Sequence, residues 1–416
     1  MNRSQRQPNS AAAIQYGRSL PGIFYSDADI FSEDLRILGQ TQWQLADHAS
    51  RIPRAGDYFL FSVGTESLIV VRDREHAVHA LYNVCRHRGS RVCLEQSGHL
   101  AALVCPYHSW TYALDGRLRS AAAMDGDFDK TEYALRRAHV RVEQGFIFVN
   151  LAPGSPPDFE AFIARPRAFM TPHGFAEAKV AARRLYPTNA NWKLIVENFL
   201  ECYHCKPAHP TYCSVHGSDK LLAFGAGPGS ASEDLVSRFS AELERWETQA
   251  SAQGFMTGMF ADGPQTPYFQ AASRIPIGGG YATESIGGGP VAPLMGSYTA
   301  YDYAQTAINF NPVAYVISSS DHAVVFRFTP RAPLYTDVEA LWLVQGSAIE
   351  GRDYDSQTLI HVWDVTLGED KTITENNQAG VLSEQYAPGP HSQHERRISD
   401  FVAWYTERLN TLREIR

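Results

Sequence analysis

"NVCRHRGSRVCLEQSGHLAALVCPYHSW", residues 83–110, holds half of the six cysteines of a 416-residue chain, together with three histidines. Two pairs stand out, Cys85-x-His87 and Cys105-x2-His108, separated by seventeen residues. Around them the texture is strand and turn: "DYFLFSV", "SLIVVRD" and "AVHALYNV" precede and "GFIFVNL" follows, each a short β-rich run. The pairs fall at the ends of such runs, in loops containing Gly89 and Pro106. The pattern predicts a small β domain presenting two ligand loops.

Two thiolates and two imidazoles suit tetrahedral zinc. They also suit a 2Fe–2S cluster in which one iron carries both cysteines and the other both histidines. Common zinc motifs pair like with like, Cys with Cys and His with His. Here each loop supplies one of each, which favours the cluster and leaves zinc as the alternative. Cys85, His87, Cys105 and His108 are the expected ligands; Cys93 and His99 fall outside the pattern and read as structural.

A net charge of −8 argues against a nucleic-acid binder, which would show a basic face. The N-terminus lacks an apolar stretch of signal-peptide length, and no apolar run approaches the ~20 residues that span a bilayer. Few cysteines and no obvious disulfide framework fit a reducing compartment, so a cytoplasmic protein without membrane contact is expected. Residues 1–20 are polar and read as frayed; "SDADIFSEDLRILGQTQW" reads as a helix capped by Ser26 and Asp27. The Pro-rich "APGSPPDFEAF", 152–162, marks a boundary. Beyond it come a helix in "NANWKLIVENFLECYHC", a helical stretch near 231–250, and "IPIGGGYATESIGGGP", expected as a mobile loop. Strands "HAVVFRFTP" and "VEALWLVQG", a long helix ending at Gly380 and a terminal amphipathic helix complete an α+β pattern. The expected division is an N-terminal arm and helix over 1–40, the cluster domain over 41–155 and a second domain over 156–416.

The second domain carries its own constellation in "NWKLIVENFLECYHCKPAHP", 191–210. At about 100° per residue, a helix here puts Trp192, Val196, Phe199 and Tyr203 on one face and Glu197, Asn198, Glu201 and His204 on the other. A solvated acidic face would explain the polar side equally well. His209 lies about 140° from His204 on a continuous helix, but Pro207 disfavours continuing it, and a turn after His204 could bring the two imidazoles together. Two histidines and one carboxylate leave positions open for oxygen on non-heme iron. The long helix offers Asp364, Glu369, Asp370 and Glu375. Projected against Leu359, Val362, Trp363, Leu367 and Ile373, Asp370 falls at the centre of the apolar arc, Glu369 at its margin, and the other two point away. A carboxylate on a core-facing stripe is costly unless paired or metal-bound, so Asp370 is the expected third ligand, with a buried cationic partner as the alternative. Cys202 and Cys205 around His204 also allow a second zinc site, which would leave Glu201 without a role.

Together these residues resemble the oxygenase component of Rieske non-heme iron oxygenases, the family of aromatic ring-hydroxylating dioxygenases and related monooxygenases. The loops "CRHRGSRVC" and "CPYHSWTYALDGRL" look like its cluster loops, and Glu201, His204, His209 and Asp370 occupy its acid–His–His–Asp motif. The resemblance implies an all-β Rieske domain followed by a helix-grip catalytic domain with an antiparallel sheet and a long helix. It implies a 2Fe–2S cluster, a mononuclear Fe(II), dioxygen as co-substrate, and NAD(P)H electrons delivered by a separate flavin and iron–sulfur reductase. It also implies a ring of three subunits in which Glu201 connects His204 to His108 of a neighbour, with Asn198 as a nearby polar group. Glutamate rather than aspartate at the bridging position, with "AIEGRDYD" and "FVAWYTERL", looks like the branch acting on betaines, carnitine and choline. Oxidative N-demethylation is then the expected reaction, aromatic ring hydroxylation the alternative, and plain electron transfer the alternative outside the enzyme class. Aromatic residues such as Tyr212, Phe260, Tyr268, Phe269 and Tyr281 are available for a cation, with no cage assigned.

Overall fold

A computed structural model describes residues 14–217, 221 and 233–414; the expectation of a frayed stretch over 1–20 lies in part, and that of a helix from 231 by two residues, outside them. The chain divides into two compact units: one of 38–162 with 174–180, the other of 1–37, 163–173 and 181–416. The N-terminal helix therefore belongs to the second unit.

In the first unit, strands β1 (Gln44–His48), β2 (Asp57–Val63), β3 (Glu66–Arg72), β4 (Val78–Tyr82), β5 (Ser97–His99), β9 (Arg137–Glu143) and β10 (Phe146–Asn150) form an antiparallel sheet ordered β1-β10-β9-β4-β3-β2-β5. Three short strands, β6 (Leu103–Val104), β7 (Thr111–Tyr112) and β8 (Leu118–Ser120), make a second sheet. The unbroken apolar run in β3 is explained by burial on both faces. Leu68 and Val70 enter one core with Phe59, Phe61, Ile147 and Val149. Ile69 and Val71 face the other way, into a core shared with Cys85, Cys105, Trp110 and Tyr112.

In the second unit, helices α1 (Ala28–Arg36), α2 (Phe159–Met170), α3 (Trp192–Phe199), α4 (Cys205–Ala208), α5 (Pro210–His216), α6 (Glu233–Ala252), α7 (Ser356–Val381) and α8 (Arg396–Glu414) accompany a seven-stranded sheet, α2 and the first strand of that sheet beginning in the first unit. Its strands are β11 (Ala178–Thr188), β12 (Gly258–Ala261), β13 (Ala271–Pro276), β14 (Ala304–Asn311), β15 (Ala314–Ser318), β16 (His322–Ala332) and β17 (Tyr335–Gln345), in the order β11-β17-β16-β15-β14-β13-β12. Asp27 caps α1 by accepting the N–H groups of Asp29 and Ile30, as expected. Phe199 fixes α3 to the sheet and to α7 at once, its ring 5.0–6.0 Å from those of Tyr315, Phe326, Phe328 and Trp363. Such ring pairs contribute about 0.5–1.5 kcal/mol each beyond the area they bury.

Three expectations change. The helix after Asn191 stops at Phe199 instead of running through His204. Glu201 ends it, because its carboxylate accepts the backbone N–H groups of Tyr203 and His204. Tyr203 is consequently exposed and not on the apolar face. The glycine-rich stretch is structured: Gly278–Gly280 and Ile286–Gly288 form tight turns, and Gly278 approaches His216 O of α5 too closely to admit a Cβ. Finally, against the expectation of reduced cysteines, Cys202 and Cys205 are joined in a disulfide.

Candidate active site

The two loops of the first unit repeat one construction. In each, the cysteine carbonyl accepts the N–H four residues on (Gly89, Ser109) and the cysteine N–H donates to the carbonyl five residues on (Ser90, Trp110). Gly89 and Ser109 both take positive φ, at 79° and 58°. This hairpin-like turn buries Cys85 and Cys105 while leaving His87 and His108 exposed with ring centroids 4.7 Å apart. The Tyr112 hydroxyl lies 3.3 Å from Cys85 Sγ, and Trp110 stacks on His87 at 4.9 Å. A buried thiolate pair behind an exposed imidazole pair is what a cluster with two unlike irons needs. Cys93 stands apart, its thiol pushed up to about 12 by burial, and His99 Nδ1 lies 2.8 Å from Asp57 Oδ1.

In the second unit, His204 Nε2 and His209 Nε2 lie 3.1 Å apart, and Asp370 Oδ1 is 3.6 Å from the first and 3.0 Å from the second. These are about the separations of neighbouring ligands with bonds of about 2.1 Å at right angles. Each imidazole is aimed through its other nitrogen: His204 Nδ1 is 2.5 Å from Glu201 Oε1, and His209 Nδ1 is 2.9 Å from Glu369 Oε2. Carboxylates behind both rings fix the tautomer that points Nε2 inward. Asn198 Nδ2 lies 3.2 Å from His204 Nε2.

The residues fit a cation. Asp370 Oδ1 is buried without a hydrogen bond, although it faces both imidazoles. Burial opposes protonation of His204, yet Asp370 and Glu201 outweigh it and push the imidazole up to about 9. The site thus demands positive charge, from protons or from a metal. Among the described residues no further His, Cys, Asp or Glu completes the group, which leaves coordination positions open.

The remaining acids of α7 have other work: Asp364 accepts from Tyr186 and Glu375 from the Asn189 backbone. Glu369, at the margin of the helical projection, proves to hold His209, a role that spacing alone did not single out. Among the aromatic residues of the middle segment, Phe269 packs in the core against Phe401 and Trp404, and Phe260 meets Phe169 and Arg165. Tyr212, one turn after His209, meets the Trp363 ring at a tilt, with centroids 5.2 Å apart.

Comparison with known proteins agrees with this division. Residues 42–136 match the Rieske [2Fe-2S] domain, and residues 175–411 match the ring hydroxylating alpha subunit catalytic domain. The chain is 36% identical over 408 residues, 95% of its length and 90% of the relative's, to a glycine betaine monooxygenase oxygenase subunit of Pseudomonas aeruginosa (strain UCBPP-PA14). It is 34% identical over 212 residues, 49% of this chain and 55% of the relative, to a carnitine monooxygenase oxygenase subunit of Escherichia coli (strain K12). The fold is shared with a quaternary ammonium Rieske monooxygenase crystallised with gamma-butyrobetaine, at TM-score 0.70 and 21% identity over 96% of this chain and 97% of that one. The chain belongs to the Rieske non-heme iron oxygenases as an oxygenase (alpha) subunit, an oxidoreductase with a 2Fe–2S cluster and a mononuclear iron that uses dioxygen.

Proposed function

We propose that this subunit hydroxylates an N-methyl group of a small betaine-type quaternary ammonium compound. Dioxygen, two protons and two electrons from a separate NAD(P)H-dependent reductase convert the N-methyl group to an N-hydroxymethyl ammonium and yield water; the N-hydroxymethyl ammonium then loses formaldehyde and a proton to leave the tertiary amine. The three-donor site with open positions supports the oxygenase chemistry. The substrate class rests on likeness along 95% of the chain to a glycine betaine monooxygenase subunit. Iron at this site supplies the activation of dioxygen. His204, His209 and Asp370 are proposed to hold it, and Cys85, His87, Cys105 and His108 to hold the cluster. Glu201 orients His204 and, in a proposed homotrimer, offers a carboxylate to a neighbouring subunit's cluster histidine. Asn198 stands beside His204 Nε2 as a nearby polar group that is not a ligand.

The test is a panel of methylated amines and aromatic acids, incubated with a reductase, NAD(P)H and oxygen. Formaldehyde and the demethylated amine from glycine betaine or a close analogue are expected. A phenol or diol from an aromatic acid, with no formaldehyde from any ammonium compound, would replace this reading with ring hydroxylation.

A further inference from the structure

The glycine-rich segment delivers a carboxylate to the ring cluster beside the metal centre. Glu284 is almost wholly buried: one oxygen accepts Gln305 Nε2–H and lies beside His216 Nε2, and the other accepts Trp363 Nε1–H, each at 2.7 Å. Among the described residues its ion-pair contact is with His216, and no arginine or lysine pairs with it. Trp363 joins this carboxylate to a cluster of rings on the elements that carry the proposed metal ligands: it lies 4.6 Å from Phe326, 5.2 Å from Tyr212 and 6.0 Å from Phe199. Tyr212 follows His209 by three residues and Phe199 precedes Glu201 by two. Burial first, then the charge of Glu284 and, after it, those of Cys213 and Asp370, raise the Tyr212 phenol.

A ring attracts a cation through the negative potential of its face. An anion accepting the indole N–H adds to that potential, and in a site of low dielectric its charge acts over several ångströms. We propose that Glu284 is the specificity-determining counter-charge for the substrate's quaternary ammonium, acting through Trp363 and Tyr212 rather than by contact with the reacting methyl group. This rests on the substrate class proposed above.

The test uses iron-loaded holoenzyme and two probes of one shape, glycine betaine and its uncharged-head isostere 3,3-dimethylbutyrate, with affinities read by calorimetry. The wild type should favour the cation by about tenfold or more. Glu284→Gln should bring the two affinities within about threefold by weakening only the betaine, and Glu284→Asp should keep most of the preference. Equal loss for both probes in E284Q, or a preference unchanged by it, overturns the proposal, as does a wild-type ratio near one. If E284Q does not accumulate as holoenzyme, Trp363→Phe replaces it: the ring stays, the link to the carboxylate goes, and the ratio should fall several-fold, an unchanged ratio again overturning the idea. Betaine turnover with a preference independent of Glu284 removes this inference alone. Absence of turnover on any ammonium compound removes the substrate class itself.

Discussion

An imidazole has two nitrogens, and here the one turned away from the metal position decides where the other points. His209 Nδ1 faces Glu369, so Glu369→Gln should loosen the ring and weaken ferrous binding about 10–100-fold, read by anaerobic titration of apoprotein. Asp370→Ala removes a donor outright and should lower turnover more than about 100-fold, while the visible spectrum of the cluster stays unchanged. Sequence pattern singled out Asp370 because an acid on an apolar arc is conspicuous, and its Oδ1 lies beside both His204 and His209. It passed over Glu369 because an acid at the edge of the same arc looks solvated, and only the position of His209 reveals its partner. Glu197 is a third acid with a role in the core. Burial pushes its carboxyl up to about 8, against the hydrogen bond from Tyr25 and the charge of Lys193. The folded state then holds a proton that the unfolded chain releases near its ordinary value of 4.5, so this stabilisation is full below that pH and is lost as pH rises toward 8. Glu197→Gln should therefore gain melting temperature relative to the wild type between about pH 6 and about pH 8.5 in a thermal-shift series.

At the scale of elements, periodicity located α7 and the strands β16 and β17 closely, because each buries a continuous stripe. It lengthened α3 by a turn, since nothing in the 3.6-residue pattern says that Glu201 will spend its carboxylate on the backbone N–H groups of Tyr203 and His204. It likewise took the glycine-rich segment for a loose loop, although there the small residues permit close approach to α5. The attachment of α1 was equally hidden. Asp34 is fully buried, pairs with Lys193, and accepts from Trp192 Nε1 at 3.0 Å and Tyr405 at 2.6 Å, tying α1 to α3 and α8. A lone aspartate and a lone lysine 159 positions apart carry no local signal. Removing one partner strands the other charge, so Asp34→Ala should cost about 3–5 kcal/mol in denaturant unfolding.

For the molecule as a whole, the two Cys–His loops and the His204, His209 and Asp370 group fall in different units, each with its own core. The two centres should be separable: a ferrous chelator is expected to abolish turnover and leave the cluster's electron paramagnetic resonance signal intact, with activity restored by added Fe(II). No helix among the described residues is long and apolar enough to cross a membrane. The bond between Cys202 and Cys205 has a practical corollary at this scale, for it closes a ring of four residues around His204, directly after Glu201. Anaerobic iron loading commonly employs strong thiols, which would cut that tether and give the ligand and its supporting acid freedom they lack in the oxidised chain. Two laboratories could thus hold the same polypeptide, equally filled with iron, and measure different rates, according to which reductant each kept in the buffer.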